Sequence, residues 1–279
     1  MVSTLWRVWI KYVLDAQLIS IGLGSFVGLI LALSGAGGGI FAIPLLVFGL
    51  HLNITQAAPI ALLAVMSAAS VGAIQGLNKG IVRYKTALLM AAFGIAFAPL
   101  GVWLAKQAPT QYLSLIFAAI LVYIATRMWK RDFKKVYDNE NNPPPACVLN
   151  PATSKLFWSA HCTKRLVFTG SVAGLLSGLL GVGGGFVIVP SLRKVSNFDT
   201  QTIIATSLAV IALVSAGSVT TYLLQGDISW NIAVPFVLST MVGMFVFRFF
   251  SHKIPSKISQ RSFAVLAVLA AILMVIKSI

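Results

Sequence analysis

Along residues 1–279 long apolar runs alternate with short polar connections, and ten apolar segments stand out. Five lie near residues 12–34, 39–50, 57–77, 86–105 and 111–128, and five near 166–180, 185–192, 201–224, 231–250 and 260–276. Most approach the ~20 residues that a helix needs to cross the roughly 30 Å hydrocarbon core of a bilayer. The second segment of each set is too short for that. Between the sets, "KRDFKKVYDNENNPPPACVLNPATSK" is charged and rich in Asn and Pro, cannot bury itself, and reads as a linker. The pattern therefore expects a first transmembrane repeat over 1–129, a linker over 130–165 and a second transmembrane repeat over 166–279.

Composition agrees. Hydrophobic residues make up 58% of the chain and charged ones 10%, with six carboxylates in all. A soluble domain carries about a quarter of its residues charged, so the expectation is an all-α integral membrane protein of 8–10 helices, with the lipid bilayer as its surroundings. The net charge of +15 does not make it a nucleic-acid binder, because most Lys and Arg sit in short connections, as topology signals do. Cys147 and Cys162 share the linker with one histidine, His161, and lack the paired spacing of a zinc site. Two ordinary reduced thiols are expected there, with no metal and no cofactor.

The amino terminus, "WRVWIKYVLDAQLISIGLGSFVGLILALSGA", looks like a signal peptide until the chain is compared with itself. "GLILALSGAGGGIFAIP" at 28–44 returns as "GLLSGLLGVGGGFVIVP" at 174–190, with Gly28, Gly35, Gly37, Gly38, Gly39 and Pro44 recurring at an offset of 146. A motif repeated in mid-chain belongs to the mature structure, and the chain is an internal duplication. Beyond the motif, "TQAAPIALLAV" from Thr55 faces "TQTIIATSLAV" from Thr200, and Tyr84 faces Trp230.

Basic residues decide the sense of the two repeats, since Lys and Arg collect in short cytoplasmic connections. If each half crosses an odd number of times, 17 Lys and Arg fall on the linker side and 4 opposite; an even number gives 14 against 7. The odd arrangement makes the halves inverted repeats, with a cytoplasmic linker and both termini outside. It holds whether the first two segments of each half cross twice or form a re-entrant pair.

Non-helical backbone at membrane depth persists only where protein or a water-filled cavity satisfies its polar groups, so the glycine breaks must line something. Gly35, Gly37, Gly38 and Gly39, and Gly181, Gly183, Gly184 and Gly185, would expose backbone N–H groups where short helices begin, with Pro44 and Pro190 as further breaks. Under inversion the two helix starts face each other near the midplane. Each carries about half a positive charge, an arrangement that holds anions without a buried cation. Interrupted segments at matching places in two halves point to a transporter's binding site. Gly24 and Gly28, followed by Ala32, have the spacing of a close helix crossing instead. No "GK[ST]" follows GAGGG, which sets it apart from a phosphate loop.

These residues resemble the sulfite exporter TauE/SafE family, bacterial permeases of the inner membrane, above all through "GLLGVGGGFVIVP", "ATSL" at 205–208 and "GDISW" at 226–230. The resemblance covers nearly the whole chain. It implies a multi-pass protein that moves a small anion, sulfite, sulfoacetate or a related organosulfur compound, by secondary transport. Thr206 and Ser207 become candidate substrate donors, whereas in the first half Ala61 and Leu62 take their places behind Pro59. An anion channel is a second reading, since sequence separates channel from carrier poorly. A membrane-embedded enzyme is a third. His51, His161 and His252 fall at segment ends or in the linker, and Asp15, Asp199 and Asp227 near segment boundaries, without a partner pattern for catalysis. Asp227 is expected to cap the helix beginning near Ser229, with a role in coupling as the alternative.

Overall fold

The computed structural model describes residues 17–32, 38–130, 147, 159–226, 228–250 and 256–278. The described residues form ten α-helices: α1 (Gln17–Ala32), α2 (Gly39–Gly49), α3 (Ile54–Asn78), α4 (Tyr84–Gln107), α5 (Thr110–Lys130), α6 (Ala160–Leu180), α7 (Gly185–Val195), α8 (Thr200–Leu224), α9 (Trp230–Phe250) and α10 (Ser256–Ser278). This is the all-α membrane architecture that the apolar pattern predicts. Within the described residues, α3, α4, α8 and α9 are each long and apolar enough to cross a bilayer. The starts of α2, α3, α4 and α5 recur in α7, α8, α9 and α10 at one offset, 146, as Gly39 and Gly185, Ile54 and Thr200, Tyr84 and Trp230, Thr110 and Ser256. That register corrects one sequence pairing. Opposite Thr206 and Ser207 stand Ile60 and Ala61, one residue before the pair that aligning Thr55 with Thr200 selects.

At the centre α3 packs against α8. Gly76 near the end of α3 meets Ala205 near the start of α8, while Ala58 and Leu62 join Val219 and Tyr222 in one buried cluster, so the two helices run antiparallel. Two-thirds of the apolar stretch of each is buried, against 39% for α4 and 33% for α9, whose outer faces carry Leu88, Trp103, Leu238 and Val242 exposed as lipid-facing side chains are. Small residues let the peripheral helices close in. On α6, Gly170, Gly174 and Gly178 lie against the backbone of Met90, Gly94 and Ala98 on α4, and on α1, Gly24 and Gly28 lie against Phe236 and Thr240 on α9. A side chain at any of these glycines would strike a carbonyl of the facing helix, so Gly24 and Gly28 sit in the close crossing that their spacing predicts. In both contacts residue numbers rise together, so α1 runs with α9 and α6 with α4.

The connection over 79–83 reverses the chain through Gly80 at φ 67°, and Gly226 at φ 74° begins the turn into α9. Hence α9 runs with α3, α1 does as well, and α2 must return between α1 and α3. With 11 residues, α2 and α7 each span about 16 Å, roughly half of a bilayer's apolar thickness. Gly39 and Gly185, which begin them, therefore stand about half a bilayer's apolar thickness from the far ends of α2 and α7.

Two expectations change at the linker. Cys147 and Cys162 are bonded to each other, with Cα atoms 5.1 Å apart, and are not the reduced thiols that their spacing suggests. The sequence offers no spacing rule for one pair of cysteines; what joins them is that Cys147 is buried and its N–H donates to Val195 O at 2.8 Å, which pins it beside the start of α6. In addition α6 begins at Ala160, inside the stretch that reads as linker, because Ser159 caps it by accepting a hydrogen bond from the Cys162 N–H at 3.1 Å.

Candidate functional site

Where a spanning helix begins at the edge of the fold, polar residues commonly bind its first amides. Asp199 accepts from the Gln201 N–H at 3.1 Å at the start of α8, Ser159 caps α6, and at the start of α3 the Asn53 N–H donates to Gln56 Oε1 at 3.3 Å. The start of α4 has no side-chain cap, and the two half-length helices share that feature. Neither α2, preceded by Gly38, nor α7, preceded by Gly184, has a side-chain cap. The first two amides of each have no intrahelical acceptor and point along the helix axis with the positive end of the dipole, whereas the third, of Phe41 and of Val187, donates to the carbonyl of Gly38 and of Gly184.

The two uncapped starts come together. A Cβ placed on Gly39 would lie 2.8 Å from Val65 Cγ2 and 2.9 Å from the Val182 carbonyl oxygen, and one placed on Gly183 would lie 2.9 Å from Val65 Cγ1. Val65 of α3 therefore touches both glycine segments. Its counterpart at the 146 offset, Ile211 of α8, lies beside Gly183 as well, 3.1 Å from the same Cβ position. Among the described residues the junction is buried, with Val65 and Ile211 each 1% exposed.

Among the described residues, one polar side chain faces it. Ser215 Oγ would be 2.8 Å from a Cβ on Gly183; the residue is fully buried and its hydroxyl has no hydrogen-bond partner among the described residues. Neighbouring hydroxyls on α8 donate to their own helix, Ser218 to Val214 O at 3.2 Å and Thr220 to Ala216 O at 2.8 Å. A buried hydroxyl without a partner costs about 1–3 kcal/mol, so a donor or acceptor brought to Ser215 would be stabilising. No sequence motif singles it out. The signal lies in the duplication: at the 146 offset Ser215 faces Ala69, a polar residue at a core position that is apolar in the other half.

The remaining site residues divide. Gly181, Gly183 and Gly184 adopt φ of 70°, 73° and 69°, the left-handed region, where a side chain is strained. Gly185 starts α7, and Gly38 and Gly39 stand at the start of α2; Gly35, Gly37 and Asp227 lie outside the described residues. Pro44 and Pro190 are inside α2 and α7, which continue through them, so the interruption is made by glycines; each proline removes one helical N–H and leaves the helix otherwise intact. Thr206 and Ser207 are drawn away from the junction. Thr206 Oγ1 accepts from the Arg83 N–H at 3.0 Å, holding the α3–α4 connection, and Ser207 donates to Ile204 O at 2.9 Å. Thr206 lies nine residues before Ser215 on α8, about 13 Å along the axis.

A protein-family model described as sulfite exporter TauE/SafE matches residues 20–274. A probable membrane transporter protein of Xylella fastidiosa (strain Temecula1) is 29% identical over 240 residues, covering 82% of this chain and 83% of its own. The probable membrane transporter protein YdhB of Bacillus subtilis (strain 168) is 25% identical over 247 residues, 88% of this chain and 95% of its own. A third, of Methanocaldococcus jannaschii, is 24% identical over 246 residues, 85% of this chain and 84% of its own. No solved structure matches.

Proposed function

Because the chain belongs to the sulfite exporter TauE/SafE family and is a multi-pass membrane transporter, we propose that its cargo is a small anion held where α2 and α7 begin, with sulfite, sulfoacetate or a related organosulfur anion as the class to expect. The observation that carries this reading is the meeting of two uncapped helix starts at Val65 beside the unpartnered hydroxyl of Ser215. Two helix ends and a neutral hydroxyl supply donors and positive potential without a fixed charge, which suits an anion that must also be released. The glycines at 35, 37–39 and 183–185 would present their amides to it, while the Gly181 N–H is engaged with Ser177 O; Asp227 would serve coupling if it serves any ligand, and the closed junction would correspond to an occluded state.

In the same proposal the halves are inverted repeats in the inner membrane with the linker in the cytoplasm. Antiparallel packing of α3 against its counterpart α8, and the 17-to-4 distribution of Lys and Arg, support it. Single cysteines at 144 and 279, in a background lacking Cys147 and Cys162, should label from opposite faces; labelling from one face would refute the inversion. For the cargo, proteoliposomes should accumulate sulfur oxyanions or sulfonates in preference to carboxylates of equal charge. Equal flux of all anions, at rates that do not saturate, would instead identify a channel.

A further inference from the structure

Away from the junction, a groove of about 870 Å³ runs along the outer side of α6 where it meets α4. One end is polar: His161, Lys164 and Arg165, in the first two turns of α6. The rest is a mainly apolar track with one hydroxyl, Ser171, in which Phe168, Val172 and Leu175 continue the same helical face and Phe97 of α4 forms the opposite wall. From Arg165 to Leu175 is ten residues, about 15 Å, the depth of one leaflet's hydrocarbon.

The charges are placed against the ordinary preference of a helix, whose start favours anions and disfavours cations. Lys164 and Arg165 add to the positive end of α6, so the polar end of the groove concentrates positive potential. The sole carboxylate among the described residues, Asp199, is engaged as the cap of α8. Phe168 is 69% exposed directly below these cations, which leaves a large aromatic surface to be covered by something apolar that ends in negative charge.

We propose that this groove seats one anionic glycerophospholipid of the leaflet on the linker side, its phosphate between His161, Lys164 and Arg165 and one acyl chain along Phe168, Val172 and Leu175. A free anion would use the charged end and have no use for the track. An uncharged lipid would use the track and forgo the cations. The groove has both, in the order in which a phospholipid presents them.

The test uses the full chain, purified and stripped of lipid, titrated in detergent with dioleoyl phosphatidylglycerol and, separately, dioleoyl phosphatidylcholine, with bound lipid counted by native mass spectrometry. The wild type should bind one phosphatidylglycerol about tenfold more tightly than phosphatidylcholine. Lys164→Ala with Arg165→Ala should abolish that preference, whereas Lys79→Ala with Lys85→Ala, two exposed cations outside the groove, should keep it. Val172→Trp fills the track and leaves both charges, and it should weaken phosphatidylglycerol by a similar factor. That variant keeps the proposal falsifiable should the double charge variant fail to fold. Equal binding of the two lipids by the wild type, an equal loss in the Lys79 and Lys85 variant, unchanged binding by Val172→Trp, or displacement of the lipid by millimolar inorganic phosphate would each overturn it.

Discussion

The break before α2 and the break before α7 share their glycines in sequence, yet their backbones and surroundings differ. Gly38 precedes α2 at φ −64°, an ordinary right-handed conformation, and a Cβ there would strike the backbone of Leu31 on α1 at 2.5 Å. Gly184 precedes α7 at φ 69°, and its Cβ would strike the Ala173 carbonyl on α6 at 2.6 Å. The first glycine is needed for space and the second for both space and conformation. The side chains also diverge, since Ser215 beside the second break has Ala69 as its counterpart. Duplication thus preserved the helix lengths and the glycine starts, properties that packing enforces on both halves, while among the described residues the unpartnered hydroxyl lies in one half.

The linker follows the same asymmetry. Through Cys147 it joins the end of α7 by a backbone hydrogen bond and the start of α6 by the disulfide, both in the second half. Closing a loop of 15 residues stabilises a fold by about 3 kcal/mol in the chain-entropy account. Replacing both cysteines by serine should therefore cause the largest loss of any substitution proposed for the two halves, seen as a lower unfolding temperature of the oxidised protein and faster proteolysis between 131 and 158. Unchanged behaviour would mean the linker is a passive tether, as its composition alone suggests. If the linker is cytoplasmic, the pair would be held largely as thiols in growing cells, and the stabilisation would appear only on oxidation.

A side chain at the two glycines separates space from conformation. Gly184→Ala and Gly38→Ala should both destabilise, because each Cβ meets helix backbone, but Gly184→Ala should cost about 1–2 kcal/mol more, the left-handed penalty for a residue with a Cβ. Thermal unfolding in detergent reads the difference. Equal losses would show that the two breaks share one conformation. Neither substitution tests anion binding cleanly, since both act on packing first.

Much of this fold is legible in the sequence. Ten apolar segments, the short second member of each set and the doubled GxGGG are properties of single residues and their spacing, and bilayer thickness converts them into helices with few alternatives. The site is less legible. Thr206 and Ser207 stand out because hydroxyls in an apolar run are rare, but a hydroxyl on a helix can serve its own carbonyls or a neighbouring loop, and only packing reveals which it does. Ser215 looks like one more small residue in "VSAGS"; its importance comes from Gly183, 32 residues earlier, arriving beside it. The disulfide is hidden for the same reason, since it depends on a backbone contact with α7 that composition does not encode.

Ser215→Ala has an unusual expected signature. Removing a buried hydroxyl that lacks a partner should stabilise the empty protein by about 1 kcal/mol, while affinity for the transported anion falls by about 0.5–1.5 kcal/mol, roughly two- to twelvefold. A packing residue would lose stability and a ligand residue in a relaxed site would lose only affinity. Opposite signs in the two measurements identify a group kept unsatisfied for its ligand. Ala69→Ser adds the missing hydroxyl to the first half, and if the halves share the anion it should recover part of the affinity lost in Ser215→Ala. Loss of stability with unchanged affinity would place the binding site elsewhere.

The smallest effect separates Thr206 from the junction. Thr206→Val keeps the shape of the side chain and removes the acceptor for the Arg83 N–H. Arg83 is only half-buried at the start of α4, so water can reach the freed N–H, and the cost should be about 0.5 kcal/mol, the low end for a hydrogen bond. Because the hydroxyl lies about 13 Å along α8 from Ser215, anion affinity should stay within twofold of the wild type. The loss should add to that of Ser215→Ala in a double variant, as distant independent sites do. Isothermal titration with the transported anion checks both statements. A fall in affinity as large as that of Ser215→Ala, or strong non-additivity between the two, would mean that the anion passes or pauses at Thr206, and that the second half offers a row of hydroxyls along α8 where the first half offers Ile60 and Ala61.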